Sequence, residues 1–263
     1  MGDDLCGSTV LARMMGASRG VEVAGELHWL ADLSPGEAGL TRARWRVDRQ
    51  CRIHGAECTV FGPLVHQSIP PADVYATCLE AFARASPGAR YVVCTDKYPT
   101  HYGRFAAPGS CLGIVLFKHP LQALASHLHR RHYDPDQALG VWKSRYLAVL
   151  GWAETFFSEV AYLEYGALAT RPSATVGSLW DALGLEGADL PSVPGALADE
   201  YHLIGGNLDV PHARTVTLDE KWALLRGEVR ERAFQDSVAS TVYAELRKRA
   251  ARSALHWRGR LSA

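Results

Sequence analysis

Four apolar runs of strand length constrain this chain more than any other feature: "VEVAGEL" (21–27), "RYVVCTD" (90–96), "GIVLFKH" (113–119) and "VAYLEY" (160–165). None alternates polar with apolar residues, so each expects cover on both faces, as in a parallel sheet. Helical patterns separate them at Thr9–Met15, Pro71–Ala85, Pro120–His132 and Pro135–Glu159. The last places Leu139, Trp142, Tyr146, Val149, Leu150, Ala153, Phe156 and Phe157 on one broad face. Strands alternating with helices predict a doubly wound α/β architecture, a central parallel sheet flanked by helices. At 263 residues the chain can bury one large core, so a single domain over 1–263 is expected, with an irregular insertion at 33–70 rich in Gly, Pro, Arg and His. A short helix at Val176–Leu185 precedes a loop, "GLEGADLPSVPG", and a final helix is expected from about Thr217 to Arg252, broken near Gly227.

Lys+Arg and Asp+Glu are both 28, giving a formal net charge of zero. Binding to a nucleic-acid polymer usually shows a strong basic excess, so no such partner is expected. Any anion must be held by a local arrangement of donors. No apolar run approaches the ~20 residues of a membrane span, and Asp3 and Asp4 stand where a signal peptide would be basic. The cysteines (6, 51, 58, 78, 94 and 111) are scattered, two of them inside apolar runs, which fits a reduced cytoplasmic protein.

The candidate anion site is at the start, in "MGDDLCGSTVLARMMG". Gly7 allows close backbone approach, Ser8 and Thr9 supply hydroxyls, and the N–H groups of the helix that begins there converge on the same point. Ser and Thr are also the usual helix caps, so the stretch taken alone favours a plain N-cap. It lacks the "GK[ST]" of a Walker A loop.

Further motifs follow in order: "VAGELHWL", "CRIHGAEC" (51–58), "TDKYPTHY", "KHPLQALAS", "YGALATRP…LWDALGL", and "HLIGGN" before "LDEKW". This succession, from Cys6 to Trp222, resembles the sulfotransferases that use 3′-phosphoadenosine 5′-phosphosulfate (PAPS), particularly their bacterial and carbohydrate-type members. The resemblance implies a P-loop-NTPase-like sulfotransferase fold. It also implies transfer of a sulfuryl group from PAPS to a hydroxyl or amine of a small-molecule or carbohydrate acceptor, leaving 3′-phosphoadenosine 5′-phosphate. No metal and no membrane enter that chemistry, and a homodimer is compatible with it.

On the same resemblance, Cys6, Gly7, Ser8, Thr9 and the amide of Val10 hold the 5′-phosphosulfate. Leu5 stands where the family has Lys or Arg, and Lys97 of the "DK-x-P" pattern is a replacement cation. Lys118 and Ser126 stand where the family binds the 3′-phosphate, with Lys for the usual Arg. Asn207 resembles a late cofactor-contacting turn, and Arg214 is the nearest substitute for an Arg that the family places closer to it. The acceptor proton needs a base within hydrogen-bond reach. Glu26 in "GEL" matches the family carboxylate, followed by His28 and His101, with His127 a further competitor. A catalytically degenerate nucleotide-binding relative is the rival reading, and a P-loop kinase is disfavoured without a Walker lysine.

Two features stay open. "CRIHGAEC" could put two thiolates and one imidazole on a metal, but a fourth ligand is missing, so a loop clip or plain packing is preferred. The basic end, "RKRAARSALHWRGR", reads as a solvated helix face. The phosphate loop itself should follow a central strand, and Met1 leaves no residues for one. A sheet without it would strand buried backbone groups at ~1–3 kcal/mol each. The expectation is therefore a first strand missing from the sequence and a poorly ordered Met1–Cys6.

Overall fold

Two parallel strand pairs carry the architecture. The computed structural model describes residues 1–31, 50–105, 111–185, 201–205 and 220–260. They divide into two units: Met1–Ser8 with Pro108–Leu183 and Val216–Ala263, and Thr9–Ala107 with Gly184–Thr215.

In the first unit, β3 (Leu112–Phe117) pairs in parallel with β4 (Glu159–Glu164), from Leu112 opposite Glu159 to Phe117 opposite Glu164. Helices α4 (Pro120–Arg131) and α5 (Pro135–Phe156) join them. Each helix starts on a proline, whose fixed φ suits the first turn. The caps differ: the His119 ring accepts from the Leu121 N–H, and the Asp134 carboxylate from the Gln137 N–H. Helix α4 stops at His132 in the left-handed region, φ 55°. Helix α5 buries Ala138, Leu139, Trp142, Tyr146, Val149, Ala153 and Phe156. It ends at Phe156 rather than Glu159, because Glu159 already belongs to β4.

After β4 come α6 (Tyr165–Thr170) and α7 (Pro172–Ala182). The long C-terminal helix expected from Thr217 is instead a 3₁₀ turn at Lys221–Leu224, α8 (Gly227–Gln235) and α9 (Ser237–Arg260). The second break has a clear cause. Asp236 is extended, and its carboxylate accepts from the Ala239 N–H at 2.8 Å and pairs with Lys143 at 2.5 Å, so it caps α9 instead of continuing α8. Leu121, Leu124, Ala138 and Ala233 form a core here, with Trp222, Leu225 and Val229 packed against it.

The segment before α1 (Ser8–Met15) departs from the expected disorder. Gly2 makes a parallel bridge to Leu116, whose N–H donates to the Met1 carbonyl at 2.9 Å. Side chain and backbone then anchor Asp3: its carboxylate meets His127 Nε2 at 2.6 Å and its N–H donates to the Tyr146 hydroxyl at 3.2 Å. That hydroxyl donates onward to the Leu116 carbonyl at 2.8 Å. A one-residue bridge thus occupies the edge of β3, in a segment expected to be poorly ordered.

In the second unit, β1 (Val21–Gly25) pairs in parallel with β2 (Tyr91–Cys94), with an irregularity between Val23 and Gly25. Helix α2 (Val74–Ala85) turns Val74, Tyr75, Cys78, Ala81 and Phe82 inward, and α3 (Pro99–Phe105) follows β2. The far edge of β1 is closed by residues 203–204. Ile204 donates to the Ala24 carbonyl at 3.1 Å and accepts from the Glu26 N–H at 2.7 Å. Cys51 bridges Ile204 in turn. Ala12, Val23, Tyr201 and Leu203 make the local core. Among the described residues the strands form two two-stranded sheets, where one central sheet was expected. The segment before α1 contributes only the Gly2 bridge, so no full strand extends either ladder from that side. No helix of the described residues is long and apolar enough to cross a membrane.

Candidate functional site

The loop before α1 has its backbone in the left-handed region twice, at Leu5 (φ 64°) and Gly7 (φ 98°). A side chain costs energy there, which Leu5 bears and Gly7 avoids. Gly7 is also the one residue type that fits: a Cβ would lie 2.5 Å from Cε2 of Tyr165. Cys6 and Thr9 are buried, and Ser8 and Val10 are half-buried at the helix start.

Tyr165 ties this loop to the pair expected to hold a phosphate. The Lys118 ammonium stands 4.7 Å over the Tyr165 ring and donates to Ser126 Oγ at 3.3 Å. Lys118 leaves the end of β3 and Ser126 lies nearly two turns into α4, so strand and helix direct both groups to one point. Both are buried, at 6% and 5% exposure. A buried ammonium beside a hydroxyl and an aromatic face is a local cationic site in low dielectric, where an anion is attracted far more strongly than in water.

The second unit holds the candidate base residues. Glu26 follows β1, where its carboxylate pairs with Lys97 and accepts from Trp29 Nε1 at 3.1 Å. Gly205, at φ 63°, presses on the same residues: a Cβ there would lie 2.6 Å from Trp29 Cδ1 and 3.1 Å from Glu26 Oε2. Lys97, expected to replace the missing loop cation, is thus an ion-pair partner of Glu26.

His28 Nδ1 meets Asp96 Oδ1 at 2.5 Å, and His101 Nδ1 lies 3.8 Å from the same oxygen. Asp96 also accepts from Tyr75 at 2.6 Å and from the Cys94 thiol at 3.1 Å. Burial alone would raise the Asp96 carboxyl. The facing His28 charge, the His28 and Tyr75 hydrogen bonds and His101 reverse this and hold it below the usual carboxylate range. The motif "TDKYP" drew attention to Lys97, whereas Asp96 is the residue around which the others are organised. In the neutral ring, donation of Nδ1–H to Asp96 leaves His28 Nε2 as an acceptor. His28, Asp96 and His101 also offer three ligating atoms within 4.8 Å of one another.

His127 is removed from the candidates for base, being 1% exposed and paired with Asp3. Asn207 and Arg214, like Trp45 and the first part of the insertion (33–49), lie outside the described residues. Residues 50–62 are described, and they bring Cys51, His54 and Cys58 together with His202. A hydrogen bond from Cys58 lowers the Cys51 thiol, and the same bond together with burial raises that of Cys58. In the basic tail, Arg249 pairs with Glu245 at 2.9 Å and Glu154 at 2.8 Å, so its charge is spent on the helix surface.

No protein-family model matches the chain, and no curated protein matches it. Among solved structures it is similar to the sulfotransferase domain of the Synechococcus PCC 7002 olefin synthase, at 19% identity over 91% of each chain with a TM-score of 0.60. The chain therefore has a sulfotransferase-type α/β fold.

Proposed function

We propose that the protein is a sulfotransferase that moves a sulfuryl group from PAPS to a hydroxyl or amine of a small-molecule or carbohydrate acceptor by in-line displacement. The carrying observation is the buried Lys118–Ser126 pair joined through Tyr165 to the Gly7 loop, within a fold shared with a sulfotransferase domain. Lys118 and Ser126 suit the 3′-phosphate. Gly7, Ser8, Thr9 and the Val10 amide suit the 5′-phosphosulfate, whose leaving phosphate gains negative charge that preorganised donors stabilise. PAPS supplies both the sulfuryl group and that leaving group.

Glu26 accepts the acceptor's proton, and Lys97 holds its carboxylate in one position. A second assignment has its own support, since Asp96 orients His28 much as the buried aspartate orients the histidine of a hydrolase triad. The rival reading of a catalytically inert relative is favoured by Leu5, an apolar residue in strained backbone where a loop cation is expected.

Titration with 3′-phosphoadenosine 5′-phosphate against ATP with Mg²⁺, followed by PAPS turnover over an acceptor panel, tests this. Selective binding of the former with turnover supports the enzyme. Binding without turnover on any acceptor supports the inert relative, and selective binding of ATP sinks both.

A further inference from the structure

The cluster around Cys51 lies apart from the residues assigned to sulfuryl transfer above, and its chemistry is of a different kind. Cys51 Sγ lies 3.6 Å from His54 Nδ1, and Cys58 Sγ lies 3.1 Å from His202 Nδ1. One ligand atom from each of the four residues falls within 4.8 Å of all the others. Four ligands on a tetrahedral zinc, at ~2.0–2.3 Å from the metal, stand roughly 3.3–3.8 Å from one another. The set needs only a small contraction to reach that geometry.

We propose that Cys51, His54, Cys58 and His202 form a structural zinc site of the Cys₂His₂ type. Two thiolates and two neutral imidazoles cancel the charge of Zn²⁺, which suits a centre whose two cysteines are 3% and 2% exposed. All six cysteines are free thiols, so both sulfurs are open to a metal.

The backbone holds these ligands as a metal loop would. Gly55, at φ 59°, closes a tight turn that returns its N–H to the Cys51 carbonyl at 2.9 Å, between the second and third ligands. The Phe61 N–H donates to Cys58 Sγ at 3.3 Å, a bond that favours a thiolate. Across the cluster, Arg52 donates to the Leu203 carbonyl at 2.7 Å and Cys51 bridges Ile204, which places His202 opposite the loop. The edges of Phe61 and Phe82 wall off the His202 ring, with centroids 6.1 and 5.6 Å away. His54 alone is exposed, leaving a path by which a metal enters.

The spacing Cys-x₂-His-x₃-Cys names only three ligands, and the fourth arrives from a segment 144 residues beyond Cys58. A disulfide between Cys51 and Cys58 would take from the two imidazoles the thiol groups they now face. The centre instead clamps the 50–62 loop to the strand-like segment whose Ile204 carbonyl accepts from the Glu26 N–H.

Untagged protein purified under reducing conditions should carry about one zinc per chain by elemental analysis. Exchange with Co²⁺ should give the intense visible bands of tetrahedral cobalt with thiolate charge transfer in the near ultraviolet. Cys51→Ser and His202→Ala should lose the metal, although either could fail to fold. His54→Ala, at an exposed position, should fold and lose zinc to a competing chelator at least about tenfold more readily. Protein that is metal-free and gives no tetrahedral cobalt spectrum would overturn the site. So would a Cys51–Cys58 disulfide in a non-reducing peptide map, or His54→Ala holding zinc as tightly as the parent.

Discussion

Lys118 Nζ lies 3.3 Å from Ser126 Oγ, and that hydroxyl in turn donates to the Gln122 carbonyl at 2.9 Å. The serine is thus oriented with its lone pairs toward the ammonium. Removing either partner loses a charge-assisted hydrogen bond to a bound phosphate. Lys118→Ala and Ser126→Ala should each weaken binding of 3′-phosphoadenosine 5′-phosphate by about 1–3 kcal/mol, roughly 5- to 150-fold in Kd by calorimetry. Unchanged affinity in both variants would place the 3′-phosphate elsewhere.

Glu26→Gln keeps the shape of the side chain and removes its charge. Nucleotide affinity should persist while turnover falls by about 10²–10⁴-fold, the usual contribution of a general base. If turnover survives and His28→Ala abolishes it instead, the proton goes to the His28–Asp96 pair.

The His119 cap predicts a pH dependence of stability. Burial lowers the His119 pKa, as does Arg247, against an opposing pull from Glu164. The native state therefore favours the neutral ring, the form that can accept from the Leu121 N–H at 3.2 Å. Between the lowered folded pKa and the unfolded value of ~6.5 the unfolded chain binds the extra proton, so stability rises with pH. The contribution is present above ~6.5 and is lost as pH falls through the folded value. His119→Asn, which caps without titrating there, should flatten that part of the Tm–pH curve. An equal slope in parent and variant would show that the ring does not titrate there.

His127→Ala should destabilise the first unit by about 3 kcal/mol, because it leaves the Asp3 carboxylate buried without its partner. Turnover per folded molecule should stay near that of the parent at low temperature. A large loss of kcat with Tm unchanged would return His127 to the list of bases.

The strands were legible because parallel strands are written as unbroken apolar runs, and all four overlap those runs, although β2 is only half-buried throughout. The face of α5 was legible for the same reason, although Leu150 is only half-buried. Lys118 and Ser126 were paired through the family resemblance, and a strand end and the second turn of the next helix are adjacent by geometry. His202 could not be assigned to Cys58, since no local periodicity links residues so far apart. Asp96 was passed over in favour of Lys97 because an aspartate in a loop carries no sign of how many donors will converge on it. The break at Asp236 was missed because a capping residue differs from a tolerated helical one only in the backbone angle it adopts.

The hydrogen bonds of Ile204 with Ala24 and Glu26 have a bearing on how the chain is made. Synthesis proceeds from the N-terminus, so β1 leaves the ribosome long before the backbone that completes its far edge. During that interval the edge carries exposed donors and acceptors, the usual template for pairing with another chain. Closure must also wait for a contact of high sequence separation, the slow kind in folding. A message that ended before residue 201 would therefore yield a chain prone to aggregate, even though every residue of β1 and β2 was present.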